Sequence, residues 1–311
     1  MLKIIFKILP FIFFIGTFFS ACSVKVPVTW EKRILDKKVE KLSLVYSEYG
    51  KQENPTLLFL HGFGENRHTW RFLVPRLGVN YHLIMVDLKG FGDSPKTKDD
   101  YYSVYDQALL VHQFIEEKGL KNITLVGRSF GGGVALVLAL LQKDKLIAKR
   151  VNKLILIDTM SYKQNLPSML RDLRTPIIGY LGIHLLSNKY MAKEAYKYAF
   201  YNNDLIPKNS IKYSSIYLSF PQAKYAYLKT VNQLIPDDIE RMEKRFSEIT
   251  LPTLILWGKE DVAIRVDKAY RLHREMPNSS IKVFNHAGHM LQEEIPKRVN
   301  REIIKFMEAN Q

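Results

Sequence analysis

Short apolar runs alternate with longer helical patterns over most of this chain. Continuous runs rich in Val, Ile and Leu are typical of strands that are buried on both faces of a mostly parallel sheet. The predicted strands are LSLVYSE (42–48), TLLFLHG (56–62), HLIMVDL (82–88), NITLVGR (122–128), NKLILID (152–158), TLILWG (253–258) and SIKVFN (280–285).

Helical patterns separate these runs, notably at residues 103–119 and 134–143. The second segment, VALVLALLQK, is apolar almost all round, which predicts an internal helix packed on the sheet. Strands and helices in alternation predict an α/β fold with right-handed crossovers. We therefore expect a mostly parallel central sheet with helices on both faces.

The interval between Asp158 and Thr253 shows no strand pattern. Its apolar residues recur at helical spacing, as at Met191, Ala195, Tyr198 and Ala199. A segment of this length must have structure of its own. The sequence therefore predicts a helical cap over residues 161–250, inserted into a core formed by residues 39–160 and 251–311.

The N-terminus has the pattern of a secretory signal peptide. Two lysines precede 14 uncharged residues, Ile8 to Ala21, and Cys22 follows. This apolar run is too short to span a bilayer, which takes about 20 residues, but it suits the central region of a signal peptide. We assign residues 1–21 to the signal peptide and the polar residues 22–38 to a tether.

The residues Phe-Ser-Ala-Cys at 19–22 resemble the lipobox of bacterial lipoproteins, although Phe19 replaces the usual Leu. The resemblance implies that Cys22 is lipidated and becomes the mature N-terminus. It also implies a membrane-associated protein of the bacterial cell envelope. An uncleaved anchor or a plainly secreted protein is the alternative. Because Cys22 is the single cysteine, intramolecular disulfides are excluded.

Composition and charge narrow the choice of partners. The chain has 47% hydrophobic residues, typical of a globular protein, and 46 Lys and Arg against 31 Asp and Glu, a net charge of +15. This charge favours anionic surfaces such as lipid headgroups, or it reflects a solvated surface. Zinc-ligand spacings, phosphate-binding loops and RNA-binding motifs are absent from the sequence, so we expect no nucleic acid partner.

The predicted cap is rich in tyrosine and lysine. Ten of the 17 tyrosines lie in residues 161–250, and the stretch from Lys189 to Lys229 has seven lysines against Glu194 and Asp204. A helical core with a solvated face explains this composition. Contact with substrate or membrane is the functional interpretation.

The stretch LVGRSFGGG (125–133) contains the first candidate for chemistry. Ser129 lies between Gly127 and Gly131, where a predicted strand gives way to a helix. The serine is either a helix cap or a nucleophile. The G-x-S-x-G pattern in a strand–turn–helix context favours the nucleophile, held at the carboxyl end of the sheet.

A serine nucleophile needs a base and a carboxylate that orients it. His289 follows the last predicted strand, and Asp261 follows the strand before it. The order Ser129, Asp261, His289 is the one expected of α/β-hydrolases. His286 is the alternative base, and Asp158, at the end of the run 152–158, is the alternative acid.

From about residue 40 to its end, the chain resembles the α/β-hydrolase superfamily, in the branch with a helical cap between the sixth and seventh strands. The motifs that carry the resemblance, besides the serine turn, are HGFGENRHTW (61–70), DLKGFGDS (87–94) and GHMLQEEIP (288–296). The resemblance implies that the backbone N–H groups of Phe63 and Phe130 form the oxyanion hole. His61 and Asp87 are expected to support loops.

The resemblance also implies a serine hydrolase that cleaves a carboxylic ester or related acyl substrate through a Ser129 acyl-enzyme, without a metal or organic cofactor. A serine at this position excludes the aspartate-nucleophile relatives, haloalkane dehalogenases and epoxide hydrolases. Carbon–carbon bond hydrolases, haloperoxidase-like enzymes, proline iminopeptidases and acyltransferases are the alternatives within the class. A non-catalytic, lipid-anchored binding protein is the alternative outside it.

One residue departs from the family pattern. Relatives often have a small polar residue before the serine, whereas this chain has Arg128. Its guanidinium could bind a substrate carboxylate or pair with a structural acid. The sequence leaves both interpretations open.

Overall fold

The computed structural model describes residues 28–36 and 39–311, so the predicted signal peptide and Cys22 lie outside the described residues. Seven strands form one sheet in the order β1-β3-β2-β4-β5-β6-β7. β1 pairs antiparallel with β3, and the other neighbours are parallel. The strands are β1 Tyr46–Tyr49, β2 Thr56–Leu60, β3 His82–Val86, β4 Ile123–Arg128, β5 Val151–Ile157, β6 Thr253–Gly258 and β7 Ser279–Phe284. The predicted α/β fold with a mostly parallel sheet is confirmed.

Twelve α-helices are formed by the described residues, with a π-helix at Glu31–Leu35 and short 3₁₀ turns. They are α1 Val74–Leu77, α2 Val104–Glu117, α3 Phe130–Lys143, α4 Ser168–Leu173, α5 Pro176–Leu185, α6 Asn188–Ala199, α7 Ser210–Tyr217, α8 Ala223–Gln233, α9 Ile239–Glu243, α10 Asp267–Glu275, α11 Leu291–Glu294 and α12 Pro296–Ala309. Ser103 starts α2 with a capping box, in which Asp106 returns the hydrogen bond.

Buried side chains fill the space on both faces of the sheet. Along β2, Leu58 and Leu60 face the core that α2 and α3 complete. Leu57 and Phe59, at the alternate positions, face a second core that includes Trp70 and residues of α12. This two-sided burial explains why the strands are apolar at successive positions.

The helical insertion lies between β5 and β6. Residues 158–252 contain α4 to α9 and no strand. The resemblance placed the insertion between a sixth and a seventh strand. In the described residues the insertion follows the fifth strand, because no strand precedes β1.

Residues 28–36 fall in the segment that the sequence assigned to a tether, but the structure places them against the core. Val28, Trp30 and Ile34 are buried. The Trp30 ring meets the Tyr105 ring edge-on at a centroid distance of 5.6 Å. The Trp30 backbone N–H donates to Asp238 at 2.7 Å. Apolar packing and backbone hydrogen bonds together hold this short segment against the core.

In the part of the chain that the structure describes, no helix combines the length and the apolar character needed to cross a bilayer.

Candidate active site

Ser129 occupies a tight turn between β4 and α3. Its backbone has φ 50° and ψ −117°, a conformation that non-glycine residues rarely adopt. The flanking glycines allow the close approach of other backbone segments. A Cβ on Gly127 would lie 2.5 Å from Gly131 O, and one on Gly131 would lie 2.2 Å from Leu60 O. The turn therefore requires both glycines and holds the serine at the carboxyl end of the sheet.

His289 joins Ser129 to Asp261. The distance from His289 Nε2 to Ser129 Oγ is 3.1 Å, and the distance from His289 Nδ1 to Asp261 Oδ2 is 2.6 Å. A carboxylate acceptor places the ring proton on Nδ1, which leaves Nε2 free to accept the hydroxyl proton. Three side chains far apart in the sequence therefore form one hydrogen-bonded line.

Asp261 is held by the loop that follows β6. Its second oxygen, Oδ1, accepts the backbone N–H groups of Ala263 at 2.7 Å and Ile264 at 2.9 Å. Its side chain is fully buried. Both oxygens thus have partners, and the carboxylate can only present Oδ2 to the imidazole.

Asp158, the alternative acid, lies beside this line. Its Oδ1 accepts the Gly258 N–H at 2.9 Å, whereas its Oδ2 is buried and has no hydrogen-bond partner among the described residues. Burial raises the pKa of Asp158 well above its usual range, and the negative charge of Asp261 raises it further. Burial and the neighbouring Asp261 therefore both favour the neutral form of Asp158.

The protonated state of Asp158 has a consequence for stability. Because its pKa is raised by folding, its contribution to the free energy of unfolding is lost as the pH rises above the ordinary Asp pKa of about 3.9. We expect Asp158→Asn to gain stability relative to wild type as the pH rises above about 4, the ordinary pKa of an Asp carboxyl. Urea unfolding at several pH values measures this, with Asp204→Asn as a control at an exposed site. A stability difference that does not grow with pH would contradict the buried neutral acid.

His286, the alternative base, is not part of the site. It is exposed, and its ring lies against Tyr201 with a centroid distance of 5.9 Å. The structure brings His289, and not His286, to Ser129.

Phe63 and Phe130 are the residues to which the resemblance assigned an oxyanion hole. Both residues line the cavity that contains Ser129 and His289. Among the described residues, no hydrogen-bond acceptor is found for either backbone N–H. The Phe130 N–H is the first of α3, where helix geometry leaves the donors free. Two free donors beside the serine can receive a negatively charged oxygen.

Each of the three side-chain nitrogens of Arg128 donates to a protein group. Its Nε and Nη2 donate to the His289 carbonyl oxygen at 3.0 and 2.5 Å, and its Nη1 donates to Glu65 at 2.5 Å. The other Glu65 oxygen accepts the Gly62 N–H at 3.0 Å. The arginine therefore connects the His289 loop to the loop of Phe63. This contact favours the second interpretation of Arg128, pairing with a structural acid.

Sequence reasoning missed Glu65. Glu65 lies within the motif HGFGENRHTW. Arg128, the unusual residue before Ser129, was the one indication in the sequence that an acidic partner lies nearby. Glu294 was also missed, although the motif GHMLQEEIP contains it. Its carboxylate accepts the Gly288 N–H at 3.0 Å and so shapes the loop that carries His289.

The buried pair predicts a large effect on stability. Arg128→Gln leaves Glu65 charged and poorly solvated, because the two side chains are only 3% and 11% exposed. We expect a loss of about 3–5 kcal/mol in the free energy of unfolding, measured by urea denaturation. The double variant Arg128→Gln, Glu65→Gln should recover part of it. Lys143→Gln, which breaks an exposed pair with Glu248, is the matched control. If Arg128→Gln and Lys143→Gln lowered the free energy of unfolding equally, the proposed role of burial would be contradicted.

His61 and Asp87 support loops, as expected. His61 Nε2 accepts the Leu88 N–H at 3.0 Å, so the ring proton is on Nδ1, which donates to the Gly62 carbonyl oxygen at 2.8 Å. Burial lowers the pKa of His61, so the ring is neutral. Asp87 accepts the backbone N–H of Arg67 and that of Asp93 at 2.6 and 2.8 Å.

Ser129 opens into a cavity of about 630 Å³. The core supplies the reactive side chains, and the helical insertion supplies most of the walls. Most lining residues are apolar, including Met160, Leu166, Leu170, Ile183, Met191, Leu218, Leu234 and Ile264. The cavity therefore suits an apolar group next to a carbonyl carbon.

Among the described residues, Asp158, Asp261 and His289 place potential metal-ligand atoms within 4.8 Å of one another. Both ring nitrogens of His289 are already engaged, one by Asp261 and one by Ser129. A metal at this position would have to break the line of hydrogen bonds. The arrangement fits proton transfer better than metal binding.

A serine at a strained strand–helix turn, a histidine and an aspartate in this chain order are typical of serine hydrolases on a doubly wound sheet. A family model described as the alpha/beta hydrolase fold matches residues 55–296, and the chain belongs to this family.

Individual relatives are similar at modest identity. Lipase 3 of Moraxella sp. (strain TA144) is 27% identical over 278 residues, covering 85% of this chain and 82% of that protein. The uncharacterized hydrolase YugF of Bacillus subtilis (strain 168) is 27% identical over 277 residues, covering 86% and 96%. The solved structure of a thermophilic esterase from Thermogutta terrifontis has a TM-score of 0.70 and 25% identity, covering 86% of this chain and 94% of that one.

Proposed function

We propose that this protein is a serine hydrolase that cleaves carboxylic esters through an acyl-enzyme on Ser129. The observation that carries the proposal is the line from Ser129 Oγ to His289 and on to Asp261, at the base of an apolar cavity. Similarity to a lipase and an esterase supports an ester as the substrate.

The reaction has two steps. His289 Nε2 takes the hydroxyl proton while Ser129 Oγ attacks the ester carbonyl carbon, and the N–H groups of Phe63 and Phe130 stabilise the oxyanion. The intermediate collapses, and the imidazolium gives its proton to the departing alcohol. Water, deprotonated by His289, then attacks the acyl-enzyme and releases the acid and Ser129. Asp261 orients the imidazole and stabilises its charged form.

The cavity indicates the kind of acyl group. Its walls are mainly apolar, and the buried cation next to the serine, Arg128, is already bound to Glu65 and to the His289 carbonyl oxygen. A substrate carboxylate would therefore have to compete with these protein partners for Arg128. We propose an uncharged, apolar acyl group, with residues 161–250 acting as the cap that surrounds it.

A panel of p-nitrophenyl esters of graded acyl length tests this function. We expect kcat/KM to rise with acyl length up to the size that the cavity accepts, and acyl groups ending in a carboxylate to be poor substrates. An acyltransferase would instead transfer the acyl group to an added alcohol. Absence of ester turnover by a folded protein would contradict the proposal and favour the carbon–carbon bond hydrolase, haloperoxidase-like, iminopeptidase or binding-protein alternatives.

From the sequence, we further propose that residues 1–21 are removed and that Cys22 carries a lipid that holds the enzyme in the cell envelope. Metabolic labelling with a fatty-acid analogue in a bacterial host should label the wild-type chain, and Cys22→Ala should abolish the label. Equal labelling of the two chains would contradict the anchor.

A further inference from the structure

Helix α5 presents bulky apolar side chains to solvent. Ile177 is 64% exposed and Leu185 is 78% exposed, and Ile178, Tyr180 and Leu181 are exposed as well. We call these five residues the apolar face of α5. Because no residue from Pro176 to Leu185 is an acid, a lysine or an arginine, the helix resembles one from a protein interior. An exposed apolar patch of this kind marks an interaction surface.

The packing of α5 keeps this face turned outward. Its inner side carries Gly179 and Ile183, which are buried. A Cβ on Gly179 would lie 2.1 Å from the Leu173 carbonyl oxygen, so larger side chains do not fit there. If α5 rotated so that its apolar face was buried, large side chains would collide with α4. The small Gly179 on the inner side therefore fixes which side of α5 faces solvent.

The same helix also forms a wall of the cavity that contains Ser129. Ile178, Gly182, Ile183 and Leu186 line this cavity, whereas Ile177 and Leu185 do not. A partner bound to the apolar face is therefore separated from the cavity of Ser129 by α5 alone. This position favours a partner that also contains the substrate.

Basic residues flank the apolar face on both sides. Arg171 and Arg174 precede α5, and Lys189 and Lys193 follow it, against one acid, Asp172, in the stretch 171–193. Of the four basic side chains, three are exposed and Arg174 is half-buried. An apolar helix face bordered by Lys and Arg is the arrangement that binds at the surface of an anionic bilayer. The net charge of +15 on the whole chain also favours binding to an anionic surface.

We propose that the apolar face of α5, with its flanking basic residues, docks this protein on an anionic lipid surface. Docking would place the cavity wall against the lipid, so that an ester could pass from the lipid layer to Ser129. The passage of substrate rests on the proposed function, whereas docking itself is a binding property and can be measured without turnover.

Flotation with vesicles of phosphatidylcholine and phosphatidylglycerol tests docking. The full chain is used, and every variant carries Cys22→Ala so that the predicted anchor is absent. We expect Ile177→Glu, Leu185→Glu to weaken vesicle partitioning about tenfold or more, because it removes apolar burial and adds like charge. Val79→Glu changes a residue that is 65% exposed on the core and should leave partitioning unchanged.

A tryptophan reporter shows which part of the protein enters the lipid. Leu181→Trp should show a blue-shifted emission with these vesicles and should be quenched by lipids brominated in their acyl chains. Val79→Trp should show neither effect. This comparison separates docking by α5 from attachment by the apolar N-terminus, which all variants share.

Because the apolar N-terminus can attach every variant to vesicles, the tryptophan reporter decides: an unquenched Leu181→Trp, or quenching that is equal with vesicles without phosphatidylglycerol, would overturn the proposal. A dimer that the double variant dissociates, with vesicle binding unchanged, would assign the face to a second copy and would also overturn it. Hydrolysis of soluble p-nitrophenyl acetate by the double variant should match wild type. A wild-type protein that docks but does not hydrolyse esters would refute the proposed function alone.

Discussion

Ser129→Ala should lower kcat for a good ester substrate by about 10⁶-fold, the size of effect expected when a serine nucleophile is removed. In the proposed mechanism the Ser129 oxygen attacks the ester carbonyl carbon, and among the described side chains only this hydroxyl is hydrogen-bonded to His289 Nε2, at 3.1 Å. Initial rates with the best ester of the panel measure the loss. Circular dichroism should show a folded variant, because the substitution removes one oxygen and leaves the flanking glycines.

A second serine controls for nonspecific effects. Ser215 is half-buried and lies outside the cavity lining, and its hydroxyl donates to the Lys212 carbonyl oxygen within α7. Ser215→Ala should therefore leave kcat unchanged. If Ser129→Ala retained more than a small fraction of wild-type turnover, the acyl-enzyme on this residue would be disproved.

Asp261→Asn should lower kcat by about 10⁴-fold while the fold is retained. An asparagine that still accepts the N–H groups of Ala263 and Ile264 presents its amide N–H₂ to His289. The imidazole would then carry its proton on Nε2 and could not accept the serine proton. Steady-state kinetics at neutral pH measure this effect.

Asp158→Asn is the matched control, because this residue lies in the same cluster. Its Oδ1 accepts the Gly258 N–H and its Oδ2 has no hydrogen-bond partner among the described residues, so an amide in its place keeps the one hydrogen bond that the side chain makes. We expect most of the activity to remain. The reverse result, with a large loss in Asp158→Asn and a small one in Asp261→Asn, would assign the acid role to Asp158.

Much of the fold could be predicted because each buried strand contributes its own apolar run. The run 253–258 coincides with β6, and the other buried strands differ from their predicted limits by a few residues. β1 is the exception: residues 42–48 were expected, and Tyr46–Tyr49 are observed. The Val45 N–H donates to the Ser94 hydroxyl and not to a strand backbone, and the sequence of the run does not show this contact with a distant residue.

The candidate site was predictable in part, for a related reason. Ser129 and His289 follow strands, and the carboxyl ends of parallel strands converge. The partner of Arg128 was not predictable, because Arg128 ends β4 and Glu65 lies 63 residues earlier, on the loop after β2. The placement of residues 28–36 also depends on distant groups, such as Asp237 and Asp238.

The most direct measurement of the central claim is the reaction of the intact protein with a fluorophosphonate, followed by mass spectrometry. The account predicts one adduct per chain on the peptide that contains Ser129, no adduct in Ser129→Ala and much slower labelling in His289→Ala. A folded wild-type protein that is not labelled at Ser129, or is labelled equally fast without His289, would contradict it.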